Sequence, residues 1–126
     1  MAEPRRMIDA MRFIGGANMP SPSTGRLNAT RPFGVLTVES GRLGLRVRFV
    51  RPLAKLFGVT PLECSAQDLA DVFPCRGVFG TPGVGFRTKD GRHFYFWTGQ
   101  IQAVLEVCRQ QGFRVSTEEQ QVTYNS

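Results

Sequence analysis

The amino-acid sequence predicts a mainly β domain of the α+β class, with a strongly bent antiparallel sheet or small barrel capped by one C-terminal helix. Apolar and polar residues alternate through residues 33–49, and this two-residue period is typical of a strand with one buried face. Similar short runs follow between glycine-containing turns as far as Trp97. Only the segment after Thr98 has the spacing of an amphipathic helix. Because strands and helices do not alternate along the chain, a parallel α/β sheet is not expected.

The clearest strand signal is a hairpin at residues 36–49, whose turn contains glycine. In its second strand, the leucines fall on one face and Arg42, Arg46 and Arg48 fall on the other, because side chains alternate along a strand. The leucine face is therefore predicted to join the core. The three arginines, called the arginine strip below, are predicted to form a cationic outer surface.

The rest of the sheet is predicted from shorter runs. A tight turn at residues 89–91 separates the last two of them. Phe94 and Phe96 alternate there with His93, Tyr95 and Trp97. We expect these further strands at residues 62–64, 68–76, 84–88 and 92–97.

Tyr95 and Trp97 are predicted to share one face of the last strand. Two interpretations are open for them. If they lie near the arginine strip, they form a stacking platform of the kind that binds single-stranded nucleic acid. If the bent sheet closes over them, both rings fill its core or pack beneath the helix.

The only helix signal covers residues 99–111. Ile101, Leu105 and Cys108 lie on its apolar stripe, and Gly112 follows where a helix commonly ends. These three side chains are predicted to pack on the sheet. We therefore divide the chain into an N-terminal arm or loop at residues 1–27, a domain at residues 28–115 and a polar C-terminal tail at residues 116–126.

The composition fits one soluble domain. The chain has 126 residues, of which 41% are hydrophobic and 21% are charged, values close to those of globular proteins. No apolar stretch approaches the roughly 20 residues that span a bilayer, so no transmembrane segment is expected. The three cysteines are an odd number without close pairs. A reducing cytoplasm is therefore predicted.

The sequence predicts no catalytic, metal or cofactor site, and hence no enzyme. His93 is the only histidine, so no multi-histidine metal site is available. The cysteines are 11 and 33 residues apart, which does not match a zinc ribbon. The glycine-rich stretch at residues 77–86 leads into a strand and not a helix, so it lacks the context of a phosphate-binding loop.

The chain resembles the PH-like superfamily, in particular small bacterial PH-like and GRAM-like domains. The resemblance is carried by residues 36–49, 67–77, 84–99 and 101–113, about two-thirds of the chain. It implies a bent antiparallel sheet of about seven strands with a C-terminal helix over one corner. Since about five or six strands are evident, a missing one is expected within residues 11–31 or 52–58. The resemblance also implies binding of phosphorylated lipid heads, peptides or proteins, and not catalysis.

The charge distribution makes the first half of the chain the candidate surface for an anionic partner. Residues 1–57 carry a net charge of +7, whereas residues 58–126 carry −1. We therefore predict that the arginine strip contacts an anion-bearing partner, unless acids of neighbouring strands, Glu63, Asp68 or Asp71, neutralise it. The leading interpretation is a protein or peptide adaptor with affinity for anionic lipid headgroups, and the runner-up is a nucleic-acid-binding domain. An uncharacterised enzyme comes third.

Overall fold

The computed structural model describes residues 10–21, 25–48 and 61–122. Within these ranges it contains eight strands, one α-helix and a short 3-10 turn at Val78–Gly80. The strands are β1 Ala10–Ser21, β2 Gly25–Glu39, β3 Arg42–Val47, β4 Leu62–Ser65, β5 Leu69–Arg76, β6 Pro82–Thr88, β7 His93–Trp97 and β8 Gln120–Gln121, and the helix is α1 Ile101–Gln110.

The strands form a single curled sheet that resembles half of a barrel. Their order is β4-β3-β2-β1-β7-β6-β5-β8. All neighbours are antiparallel except β5 and β8, which are parallel. The predicted fold class, a bent and mainly β sheet with one helix near the C-terminus, is confirmed.

The predicted elements after residue 36 agree closely with the structure. The hairpin at residues 36–49 corresponds to the end of β2 and to β3, and the four later runs correspond to β4, β5, β6 and β7. The observed helix, Ile101–Gln110, begins two residues later and ends one residue earlier than the predicted one. These segments were predictable because they carry a clear period and most of them end at a glycine-containing turn.

The expected N-terminal arm is corrected by the structure. Residues 10–21 form β1, which lies in the middle of the sheet between β2 and β7, and β2 already begins at Gly25. A pair of glycines is typical of a loop, but Gly15 and Gly16 lie within β1, where they let neighbouring strands approach closely. A Cβ atom on Gly15 would lie 2.2 Å from the Trp97 carbonyl oxygen. The missing strand expected within residues 11–31 or 52–58 is therefore found in the first of these ranges, and the second lies outside the described residues.

The expected polar tail is also corrected in part. Residues 114–116 run beside β5, where the Val72 amide donates to the Arg114 carbonyl at 2.8 Å and the Ser116 amide donates to the Val72 carbonyl at 2.7 Å. Gln120–Gln121 then form β8 on the same edge. The segment after α1 therefore covers the edge of β5.

The main hydrophobic core lies between α1 and the face of the sheet that α1 covers. The helix packs against β5 and β6. Leu105 and Cys108 are buried there as predicted, and Ile101 is half-buried at the margin. The sheet contributes buried side chains from several strands, including Leu36, Leu43, Leu45, Phe86, Phe94 and Phe96.

Replacing Leu105 by Ala should lower the free energy of unfolding by about 2–5 kcal/mol, because the side chain is 3% exposed and its removal leaves a cavity. Urea denaturation measures the change. Gln102→Ala is the matched control on the same helix, since Gln102 is exposed. Equal stability of both variants would contradict the packing of α1 on the sheet.

Candidate binding groove

The outer face of the sheet, opposite α1, carries a stack of three rings on β7. The ring centroids of His93 and Tyr95 are 6.4 Å apart, and those of Tyr95 and Trp97 are 5.8 Å apart with an interplanar angle of 8°. Tyr95 is fully buried, because the edge of Phe73 and the guanidinium of Arg26 cover it. Trp97 is only half-buried. Of the two predicted aromatic contacts, Trp97 alone is accessible to a ligand.

Glycines beneath the rings explain how this face accommodates them. A Cβ atom on Gly83 would lie 2.6 Å from the Trp97 ring, and one on Gly77 would lie 2.9 Å from it. At Gly85, a Cβ atom would lie 2.2 Å from the ring of Phe73. Large rings commonly fill the space above strand glycines. The glycine-rich stretch therefore supports aromatic packing.

A chain of hydrogen bonds fixes the orientation of the indole. Trp97 Nε1 donates to Asn28 Oδ1 at 2.8 Å, and Asn18 Nδ2 donates to the same oxygen at 3.2 Å. Arg26 Nε donates to Asn18 Oδ1 at 2.8 Å, and its Nη2 donates to the His93 carbonyl at 2.9 Å. Trp97 is therefore held by packing from below and by hydrogen bonding at its edge.

A groove of about 620 Å³ opens over Trp97. Residues of β2 form one wall, including Asn28 and Arg31, and the other wall is formed by Phe79 and Pro82. Its volume lies within the range of roughly 300–1,000 Å³ that is usual for ligand sites. We call this feature the Trp97 groove.

Phe79 lies on the rim of the Trp97 groove in an unusual conformation. Its side chain is fully exposed, and its φ of 64° lies in the left-handed region that bulky residues avoid. The turn is closed by a 2.8 Å hydrogen bond from the Gly77 amide to the Thr81 carbonyl, and Arg76 Nη1 donates to the Gly80 carbonyl at 3.1 Å. This conformation costs about 1–2 kcal/mol. Strain of this kind is concentrated at functional sites.

Arg31 reaches the groove because β2 bulges away from β1. The pairing between these strands stops at Gly15 with Gly34 and resumes at Ala17 with Ala29, so residues 30–33 have no partner on β1. Bulges redirect side chains in this way. The exposed Arg31 forms no ion pair with any residue that the structure describes, and no described residue lining the groove is acidic.

The arginine strip lies elsewhere on the outer face. Arg42, Arg46 and Arg48 are exposed, as their alternation predicts. However, β2 and β1 separate β3 from β7, so the strip and the rings do not form the single platform that one interpretation required.

Acidic residues lie near the strip at the Arg42 end, and the strip forms no ion pair with any residue that the structure describes. Arg42 faces Glu39 across the β2–β3 pair. Its charge also helps to lower the pKa of Asp68, although hydrogen bonds from Ser65 contribute more to that shift. Asp71 instead lies 3.0 Å from Arg87, and Glu63 faces Gly44. Arg46 and Arg48 have no acidic partner within residues 10–21, 25–48 and 61–122.

The three cysteines lie in settings that keep their thiols protonated. Cys64, Cys75 and Cys108 are buried free thiols. Burial is the largest cause that raises the pKa of Cys64 to about 11 and those of Cys75 and Cys108 to about 12, so all three are protonated near neutral pH.

In the described part of the chain, no group of three or more His, Cys, Asp or Glu side chains lies close enough together to hold a metal ion. No described helix is long and apolar enough to cross a bilayer.

Sequence reasoning missed Phe79, Arg31 and Asn28. The strongest available signal was Phe79, a large apolar residue placed within a glycine-rich turn. The three come together only through the pairing of β7 with β1 and the bulge in β2.

No protein-family model matches the chain, and no curated protein matches it.

The stability of the domain should decrease as the pH falls below about 6.5, the unfolded pKa of histidine, because of His93. Burial lowers the pKa of His93, and the charges of Arg87 and Arg26 lower it further. The contribution of the neutral imidazole to the free energy of unfolding is thus fully present above the pKa of His93 in the unfolded chain, about 6.5. It is lost as the pH falls through the lower pKa of His93 in the folded protein.

Urea denaturation across this pH range, on the wild type and on His93→Gln, tests the role of the imidazole. The variant should show the weaker pH dependence, since His93 is the only histidine. Identical slopes for the two proteins would contradict the assignment.

Proposed function

We propose that this chain is a non-enzymatic, PH-like binding module, an adaptor that holds a protein or peptide segment in the Trp97 groove. The observation that carries the proposal is Phe79, whose ring is fully exposed in a left-handed conformation beside the half-buried Trp97. Stability does not explain such a residue, because exposing the ring and straining the backbone both disfavour folding. Contact with a partner does explain it.

The chemistry of the groove suits a peptide. The Trp97 and Phe79 rings offer apolar contact area of the kind that dominates interface energetics. The opposite wall offers hydrogen-bonding side chains from Asn28 and Thr30. This combination of an apolar surface and a few polar groups fits a segment that has one apolar anchor and a polar backbone.

The sheet order supports the PH-like assignment. The first seven strands form one antiparallel array in which β1 pairs with β7, and α1 follows β7 directly. That is the succession of strands and helix that the resemblance implies, with β8 as an addition. The buried free thiols support a reducing location such as the cytoplasm.

Replacing Phe79 by Gly should weaken the binding of a groove peptide by about tenfold or more, the usual cost of removing an aromatic anchor. The free energy of unfolding should stay the same or rise by up to about 1 kcal/mol, since glycine adopts a positive φ without strain. Ligands are selected from a displayed library of linear peptides. Affinity is then followed by the fluorescence of Trp97, the only tryptophan.

Phe33→Ser is the control, because Phe33 is 45% exposed but does not line the Trp97 groove. It should retain the affinity of the wild type. The proposal fails if no peptide is selected, or if Phe79→Gly and Phe33→Ser bind equally well.

The exposed arginine strip supports anionic lipid headgroups as a second ligand class. Each basic residue near an anionic surface contributes about 1 kcal/mol of binding. A nucleic-acid platform is less favoured, since the buried Tyr95 separates the half-buried His93 and Trp97 in the β7 stack, whereas successive bases need successive accessible rings.

Reversing Arg46 and Arg48 to Glu should reduce sedimentation with phosphatidylserine vesicles by about tenfold or more, with an unchanged melting temperature. Arg109→Glu with Arg114→Glu is the control, because it changes the net charge equally on exposed residues outside the strip. Equal losses in both variants would show that only net charge matters. A lower melting temperature in the Arg46 and Arg48 variant alone would make the strip structural.

A further inference from the structure

We infer that the Trp97 groove recognises a carboxylate next to an apolar side chain, with Arg31 and the amide nitrogen of Asn28 as the groups that bind the carboxylate. The inference rests on the proposed peptide-binding function and specifies its ligand. Both residues belong to the same wall of the groove, on β2.

The first argument is charge complementarity. Arg31 brings a positive charge to the groove on the bulge of β2, and no acidic side chain lines the described part of the groove. Arg26, the nearest other arginine in the network, is occupied by Asn18, the His93 carbonyl and the Tyr95 ring. Among its described lining residues, the groove therefore offers one positive charge to a ligand.

The second argument is the orientation of the Asn28 amide. Its Oδ1 accepts hydrogen bonds from Trp97 Nε1 and Asn18 Nδ2, which uses both lone pairs of the oxygen. Because the oxygen is fixed toward these donors, the Nδ2 group points away from them. Among the described residues, Nδ2 of Asn28 has no hydrogen-bond acceptor, and the Asn28 side chain is exposed in the groove. The wall thus presents an N–H donor at a fixed place.

The number and kind of donors favour a carboxylate over a phosphate. A guanidinium and an amide both present planar N–H groups, which match the two oxygens of a carboxylate. A phosphate monoester carries a charge of about −1.5 to −2 and three acceptor oxygens, and it usually requires a cluster of arginines. One available arginine balances one negative charge.

The rings supply the second part of the specificity. Trp97 forms the floor of the groove, and Phe79 lies on the wall opposite Arg31. A ligand that spans the groove therefore places its carboxylate at Arg31 and an apolar side chain at the rings. An Asp or Glu side chain beside an apolar residue provides this arrangement, and so does a C-terminal carboxylate on an apolar terminal residue.

The test uses synthetic peptide pools of equal length, each with one apolar position. One pool has Glu or Asp beside that position, and its matched pool has Gln or Asn there. Each pool is made with an amidated and with a free C-terminus, which separates the two sources of the carboxylate. Affinity for the full chain is measured by Trp97 fluorescence and by calorimetry.

We expect a carboxylate, from one source or the other, to raise affinity by about tenfold or more, as a charge-assisted hydrogen bond should. Arg31→Gln should lose this preference and bind the charged and neutral pools equally. Asn28→Asp should lose it too, because the substitution keeps an acceptor for Trp97 Nε1 but replaces the donor by a negatively charged oxygen. Arg46→Gln is the control and should keep the preference.

Equal binding of the charged and neutral pools by the wild type would overturn the carboxylate assignment while leaving peptide binding in place. A preference that survives in Arg31→Gln would overturn it as well. If no pool binds, the proposed function fails and the inference fails with it. Melting temperatures of all variants establish that each result concerns a folded protein.

Discussion

The packing of aromatic rings against strand glycines is the constraint on which the outer face depends. Trp97 lies over Gly83 and beside Gly77, and Phe73 lies over Gly85. Because these positions have no Cβ atom, rings lie close to the backbone of β6 and form a second small cluster behind the main core. The strands around β7 are therefore packed on both faces, and the indole that forms the floor of the Trp97 groove has a fixed position.

The sequence was informative where periodicity was uninterrupted. The alternation around Leu43 and Leu45 and the stripe through Leu105 identified strands and a helix because each side chain there has one environment, buried or exposed. A strand within residues 11–31 was only one of two alternatives, and β1 was not located, because Gly15 and Gly16 interrupt the pattern at the bulge. Glycines chosen for close approach of backbones look the same in a sequence as glycines chosen for a turn.

The candidate site was less predictable, because pairing between distant strands creates it. Alternation placed Trp97 and Tyr95 on one face, yet the burial of Tyr95 depends on Phe73 and Arg26, which come from β5 and β2. The strain at Phe79 and the projection of Arg31 follow from a turn and a bulge whose geometry local sequence patterns do not define. Charge counting identified the cationic half of the chain but not which arginine lies in a groove.

The segment that follows α1 has a meaning beyond its contribution to the sheet. By running beside β5 through the hydrogen bonds of Val72 and the short β8, it occupies backbone groups that would otherwise stand unpaired along that strand. An open strand edge is a template for association with another molecule. Pairing with residues 114–121 thus leaves fewer backbone groups of β5 open to another molecule, although the sequence of this segment is polar and carries no strand period.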